Sequence, residues 1–190
     1  MGEYRPEAIP DEWIWAEYWT RYFTDIEPQY SWVVLQEGQV VGYLNGTADI
    51  ARFEAYLPRL ALGLVWHTIR CRLLRRPASR QAIAAMLGAL LRHEDALPHD
   101  VRRDFPATMH MNLLSGLRGG GVGWRLFCLF RDCMRELGVP GIHAQPLSIN
   151  LPVQRLLAKA GFRPHSSRPT RAFRHVYPGA VEVQTWLMAL

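Results

Sequence analysis

The run Arg118-Gly119-Gly120-Gly121-Val122-Gly123 limits most strongly what this chain can fold into. An apolar stretch, Met109-His110-Met111-Asn112-Leu113-Leu114, precedes it, and a helical pattern from Val122 to Leu137 follows. The order is strand, glycine loop, helix N-terminus. Such a loop presents backbone N–H groups that no helical carbonyl can satisfy. Those donors and the positive end of the helix dipole favour an anion, a phosphate above all. Glycine suits the loop because a side chain would block close approach and disfavour positive φ. The G-x-G-x-x-G register fails, since its last position falls on Trp124 or Leu126. The G-x-x-x-x-G-K-[ST] register fails too, because Val122 stands where lysine must follow Gly121. The run fits R/Q-x-x-G-x-G, with Arg118, Gly121 and Gly123 in the fixed positions. A strand-to-helix turn with no ligand fits the same glycines.

A second stretch narrows the choice. Asn150 opens a short helical pattern, Leu151 to Ala160, that ends in Gly161-Phe162. Upstream stand Glu27-Pro28, then Trp32-Val33-Val34 and Val40-Val41-Gly42-Tyr43. In this order, the hairpin, the glycine loop and the Asn-helix-Gly-Phe motif resemble the GCN5-related N-acetyltransferases. The resemblance covers about residues 4–50 and 107–190 and leaves the middle uncovered. It implies an α/β fold: a mixed, mainly antiparallel central sheet flanked by helices, with two parallel central strands that splay apart. It also implies acetyl-CoA as co-substrate and acetyl transfer to a primary amine, on a small molecule or a protein, by direct attack. Backbone groups of Arg118, Gly119, Gly120, Gly121, Val122 and Gly123 would hold the pyrophosphate. Those of Leu113 and Leu114 would take the acetyl group and pantetheine arm, and Asn150 would lie on the cofactor side. Glu27, Tyr43 and Asn112 would face the amine.

The proton acceptor is open on sequence. His110 shares a strand face with Asn112 and Leu114, and an unperturbed imidazole titrates near 6.5. It reads first as a hydrogen-bonded strand histidine and second as the base. Asp49 and Glu27 are alternatives acting through water. His143 reads as structural. The family's motif commonly places a tyrosine, which protonates the departing thiolate, where this chain has Leu157. That puts Leu157 beside the thioester sulfur without a proton to give, with Tyr177 as a substitute acid. A catalytically weak or inactive CoA-binding sensor or interaction domain is the alternative reading.

At 190 residues, 49% hydrophobic and 21% charged, one domain spanning the chain is the expectation. No apolar run reaches the length of a membrane span, and no leader pattern stands at the N-terminus. A cytoplasmic protein without a membrane partner is therefore expected. Cys71, Cys128 and Cys133 lack paired metal spacing, so they read as reduced thiols and no metal is expected. The net charge of +5 suits an acidic ligand such as coenzyme A. It would also suit nucleic acid, but no recognition motif for one is present.

Further elements are expected as follows. A strand forms around Tyr4-Arg5, and a helix capped by Asp11 runs to about Tyr22. One or two of that helix's aromatics line the acceptor pocket, while most pack in the core. Strands cover Ser31–Leu35 and Gln39–Leu44, the second ended by Asn45-Gly46 and Asp49. About residues 51–106 form a helical insertion, with one helix from Leu57 to Arg75 stopped by Pro77 and another capped by Ser79. Its role is to cover the acceptor cleft or make a homodimer contact. The cluster Arg70, Arg72, Arg75, Arg76 and Arg80 reads first as a solvated helix end, second as a contact with an acidic substrate or the coenzyme's ribose phosphate, and third as a dock for an anionic membrane. A central strand covers Ala107–Leu114, and the next covers Gly141–Gln145. The intervening helix buries Val122, Leu126, Leu129, Phe130, Cys133 and Leu137. Two last strands cover Arg171–Tyr177 and Val181–Leu187.

Overall fold

The computed structural model describes residues 11–94, 96–97, 99–117, 119–177 and 179–190. The expected strand at Tyr4-Arg5, Arg118 and Pro178 lie outside them. The first helix, α1 (Glu12–Asp25), is capped as its sequence indicates: the Asp11 carboxylate accepts from the Ile14 N–H at 2.9 Å. Strands β1 (Ser31–Gln36) and β2 (Gln39–Thr47) form a hairpin around Glu37 and Gly38. Both turn residues take positive φ, 50° and 76°, which matches the twist of the flanking strands.

β2 runs three residues past the expected end, and Gly46 is the reason. A Cβ there would collide with the Phe130 ring, so the glycine lets sheet and helix close on each other. β2 then pairs antiparallel with β3 (Thr108–Leu113), from Gly42 opposite Leu113 to Thr47 opposite Thr108. A second three-stranded sheet holds β4 (Gly141–Ala144), β6 (Val181–Ala189) and β5 (Arg163–Thr170) in that order. The two sheets meet at one parallel bridge between Ala107 and Ile142. There the Ala107 N–H donates to the Gly141 carbonyl and the His143 N–H to the Ala107 carbonyl, at 3.3 and 2.9 Å. Beyond that bridge no ladder joins β3 and β4 among the described residues, so the two parallel strands splay as expected.

β5 replaces the strand expected at Arg171–Tyr177, which forms turns instead. Its sequence, with Pro164 and Pro169, hides a strand. Proline cannot donate to a ladder and is tolerated at a sheet edge, which is where β5 lies.

Three helices connect β2 to β3: α2 (Ile50–Arg70), α3 (Pro77–Leu91) and α4 (His99–Asp104). α2 starts before the expected Leu57 because Asp49 caps it, accepting from the Ala51 N–H at 2.9 Å, and the helix passes through Pro58. Pro77 does not stop a helix but begins α3, at a position where its missing N–H costs nothing. Ser79 is accordingly a buried residue of the first turn and not a cap. Glu94 ties this segment to the C-terminal sheet: its carboxylate accepts from Arg92 Nε (2.6 Å), Thr170 Oγ1 (2.8 Å) and the Arg171 N–H (2.7 Å).

Helix α5 (Val122–Glu136) buries Leu126, Phe127, Phe130 and Met134 against Leu44, Ala107, Ile142, Leu157, Phe162 and Met188. The buried stripe is thus rotated from the expected one, leaving Leu129 and Leu137 half exposed. Helix α6 (Leu151–Ala160) ends at Gly161 with φ 93°, the left-handed C-terminal cap that glycine permits.

Candidate active site

The glycine loop stands where β3 leaves the sheet and α5 begins. Gly119 and Gly121 take φ 84° and 78°, a conformation that glycine adopts without steric cost. Gly121 is the N-cap of α5, and no side chain caps that helix end. The first-turn N–H groups are therefore presented by backbone geometry alone, as an anion site requires. Gly123 differs: a Cβ there would lie 3.4 Å from Leu113 Cδ1 and Met111 Sδ and 4.0 Å from Leu156 Cδ2. It lets α5 settle on β3 beside α6.

The β3 backbone points in two directions. The Ala107 groups bond β4, whereas the Leu114 N–H donates to Val41 of β2 at 3.0 Å. Alternate residues of a strand direct their N–H and C=O to the same side. Leu113 shares the parity of Ala107, so its backbone faces the opening where β4 has splayed away. Of the expected pair Leu113 and Leu114, the first is directed at the opening; the second continues the β2 ladder.

Side chains of β3 also divide. Met109, Met111 and Leu113 pack on the main core with Leu44, the side on which Gly46 meets Phe130 of α5. His110 and Asn112 lie on the α1 face with Tyr43 and Asn45 of β2. Asn112 Nδ2 donates to Tyr43 Oη at 2.8 Å and sits 3.2 Å from His110 Nε2. The His110 ring stacks on Trp19 of α1, centroids 4.1 Å apart and planes 13° from parallel. Burial pulls this imidazole down to about 4, because a charged ring would lose its hydration there. His110 is thus neutral near pH 7 and a weak base. With the Asn112 amide donating, Nε2 accepts and Nδ1 carries the proton. Burial likewise pushes the Tyr43 hydroxyl up.

Trp19 is the site residue sequence did not single out. It stands among six aromatics of one helix, and only the crossing of α1 over β2 selects it. The Asn45 amide donates to the Trp19 carbonyl at 3.2 Å and fixes that crossing. The Trp19 indole nitrogen is buried and has no hydrogen-bond partner among the described residues.

Glu27 and Asp49 gather elsewhere. Glu27 is buried and accepts from Tyr22 Oη at 3.0 Å, with Arg52 Nη1 at 3.4 Å. Asp49 lies past the Thr47–Thr108 pair, at the end of the sheet away from the glycine loop, and caps α2. Tyr177 sits in the turns between β5 and β6, its N–H on the Phe173 carbonyl; no ring contact with His110 is found among the described residues. Asn150 precedes α6 without a side-chain cap bond. His143 is structural: its Nδ1–H donates to the Phe105 carbonyl at 2.6 Å, and burial holds it at about 4. Leu157 does not face the opening; it is 1% exposed inside the core, and the α6 residue beside Gly123 is Leu156. Among the described residues no group of three His, Cys, Asp or Glu could hold a metal.

No family model matches the chain, nor does any curated protein. Solved structures do. A protein called SsHAT is 26% identical, with 94% of this chain and 81% of that one covered and a TM-score of 0.67. A polyamine N-acetyltransferase from Drosophila melanogaster is 18% identical, covering 100% and 85%, at TM-score 0.56. An agmatine N-acetyltransferase is 18% identical, covering 90% and 81%, at TM-score 0.53. With its splayed β3 and β4, its glycine loop at the start of α5 and its Asn-helix-Gly-Phe motif, this chain shares the fold of these solved N-acetyltransferase structures.

Proposed function

We propose that the protein is an acyl-CoA-dependent N-acetyltransferase that moves the acetyl group of acetyl-CoA to a primary amine. The observation that carries the reading is the opening between β3 and β4, with backbone groups of Leu113 on one wall and the α5 N-terminus at its mouth. Backbone N–H groups from Gly119 to Gly123 hold the pyrophosphate, and Asn150 lies on the cofactor side. The Leu113 N–H polarises the thioester carbonyl and stabilises the oxyanion that develops on it.

The amine arrives from the α1 face, where Trp19, Tyr43, His110 and Asn112 form an uncharged, hydrogen-bonding wall. Its nitrogen bonds to the acetyl carbon, the C–S bond breaks, and the coenzyme leaves as a thiolate. Alignment supplies most of the acceleration, because a neutral amine attacks a thioester without covalent help. His110 Nε2 orients the amine by accepting one of its hydrogens in place of the Asn112 amide, which keeps its bond to Tyr43 Oη. At about 4 it does not retain the proton, which passes through water to the thiolate or bulk solvent. The pH dependence near neutrality then follows the amine's own ionisation, with the rate rising as the free amine forms. The helical segment of about residues 51–106 belongs to the same domain in this reading, and α1 forms one wall of the acceptor side.

The test is release of free CoA thiol from acetyl-CoA with a panel of amines, covering polyamines, arylamines and peptide N-termini. At least one amine should accelerate release, and His110→Ala should raise KM for it. Acetyl-CoA binding with no amine-stimulated release across the panel would contradict the enzyme reading.

A further inference from the structure

Residues 55–93 contain seven arginines and no aspartate, glutamate or lysine. They span most of α2 and all of α3. The inner side of α2 is committed. His67 meets the Asp11 carboxylate at 3.2 Å and stacks on Trp13, and Leu64 packs around Ile14 and Leu73. The outer side is apolar and open: Leu62, Val65, Trp66 and Ile69 are 73, 56, 67 and 61% exposed. The spacing i, i+3, i+4, i+7 places all four on one helical face. No charged residue interrupts that face between Arg59 and Arg70. Just beyond it stand Arg70, Arg72, Arg75 and Arg76, all exposed. Among the described residues no carboxylate pairs with any of them, and every ion pair found lies elsewhere.

A contiguous apolar face of this kind marks a contact surface rather than an ordinary solvated one. Charge decides what covers it. A second copy closing on the same face would bring an equally acid-free segment, leaving the arginines unneutralised. At the N-terminal end of α2, Glu54 is already bonded to Arg102 at 2.7 Å. A bilayer carrying anionic lipid satisfies both features. Trp66 and its aliphatic neighbours enter the headgroup–acyl boundary while the arginines meet lipid phosphates. We propose that α2 docks the protein peripherally on an anionic lipid surface, through Leu62, Val65, Trp66 and Ile69 and the adjoining arginines. No described helix is long and apolar enough to cross a membrane, and a helix lying in the interface needs no such length.

Co-sedimentation of the full chain with vesicles tests this. One set is pure phosphatidylcholine; the other carries about three parts in ten phosphatidylglycerol. The protein should pellet with the anionic set alone, and high salt should weaken the binding. Replacing Arg70, Arg72, Arg75 and Arg76 by Gln should weaken it about fivefold per arginine. Leu62→Ser with Trp66→Ser should weaken it more than tenfold at an unchanged melting temperature; Ile69→Glu offers a second variant should that pair perturb the fold. No pelleting with anionic vesicles, equal pelleting with both sets, or full binding by the apolar variants would overturn the proposal. So would a concentration-dependent dimer in sedimentation velocity that the apolar variants abolish, since that assigns the face to a second copy.

Discussion

Replacing Gly120 by aspartate gives the cleanest test of the anion site. Gly120 lies between two glycines of positive φ but does not share their conformation. A Cβ built on it meets only the Leu117 carbonyl oxygen, at 3.6 Å, so the substitution strains neither backbone nor packing. It does set a carboxylate among the N–H groups proposed for the pyrophosphate. At roughly 6 Å and an effective dielectric near 20, like unit charges repel by about 3 kcal/mol. The loop is exposed, so ions and water screen part of this. A loss of about ten- to a hundredfold in acetyl-CoA affinity is expected, roughly 1.4 to 2.8 kcal/mol. Isothermal titration calorimetry measures it, and Gly179→Asp, equally unhindered, is the remote control. Gly123→Asp is less informative, because its side chain would press on Leu113 and Met111 and cost stability. Gly120→Asp with a normal melting temperature and unchanged affinity would refute the assignment of the loop.

Acid should destabilise the fold. His110 and His143 are held at about 4 by burial against an ordinary 6.5. The unfolded chain therefore binds more protons between those values, and stability present above 6.5 is lost as pH falls towards 4. For the fully buried His143 this amounts to about 3 kcal/mol; a urea midpoint flat from about pH 7 to 4.5 would contradict it. Gly46→Val should cost about 1–3 kcal/mol by overpacking against Phe130, read as a lower melting temperature, and a neutral result would mean the sheet and α5 are not in contact there. Leu157→Tyr should also lose about 1–3 kcal/mol without raising turnover, because Leu157 lies in the core; faster acetyl transfer by a stable variant would show that the side chain reaches the thioester.

The glycine loop, α6 with its Gly161 cap and the β1–β2 hairpin were legible because each depends on local chemistry: positive φ, a left-handed cap, a two-residue turn. The splay of β3 from β4 was accessible only through family resemblance, since no local pattern records where a ladder stops. β5 was missed because an edge strand need not alternate or avoid proline. Asp49 looked available for chemistry, yet it caps α2, whose start was masked by the proline at 58. The α5 stripe was misplaced because 3.6-residue periodicity admits neighbouring faces, and contact with Gly46 selects the one bearing Phe130. Trp19 could not be chosen from its neighbours without the helix crossing that the Asn45 amide fixes. The apolar outer face of α2 read as an ordinary helical pattern, because exposure is a tertiary property.

Thermal unfolding in the presence of acetyl-CoA, CoA or ATP tests the central claim most directly. A ligand at about a hundred times its Kd stabilises the folded state by about 2.7 kcal/mol. For a chain of this size that raises the melting temperature by roughly 5–10 °C. Acetyl-CoA and CoA should give such a rise, and ATP a smaller one or none, because ATP lacks the pantetheine arm proposed to enter the β3–β4 opening. No rise with acetyl-CoA, or an equal rise with ATP, would contradict the claim.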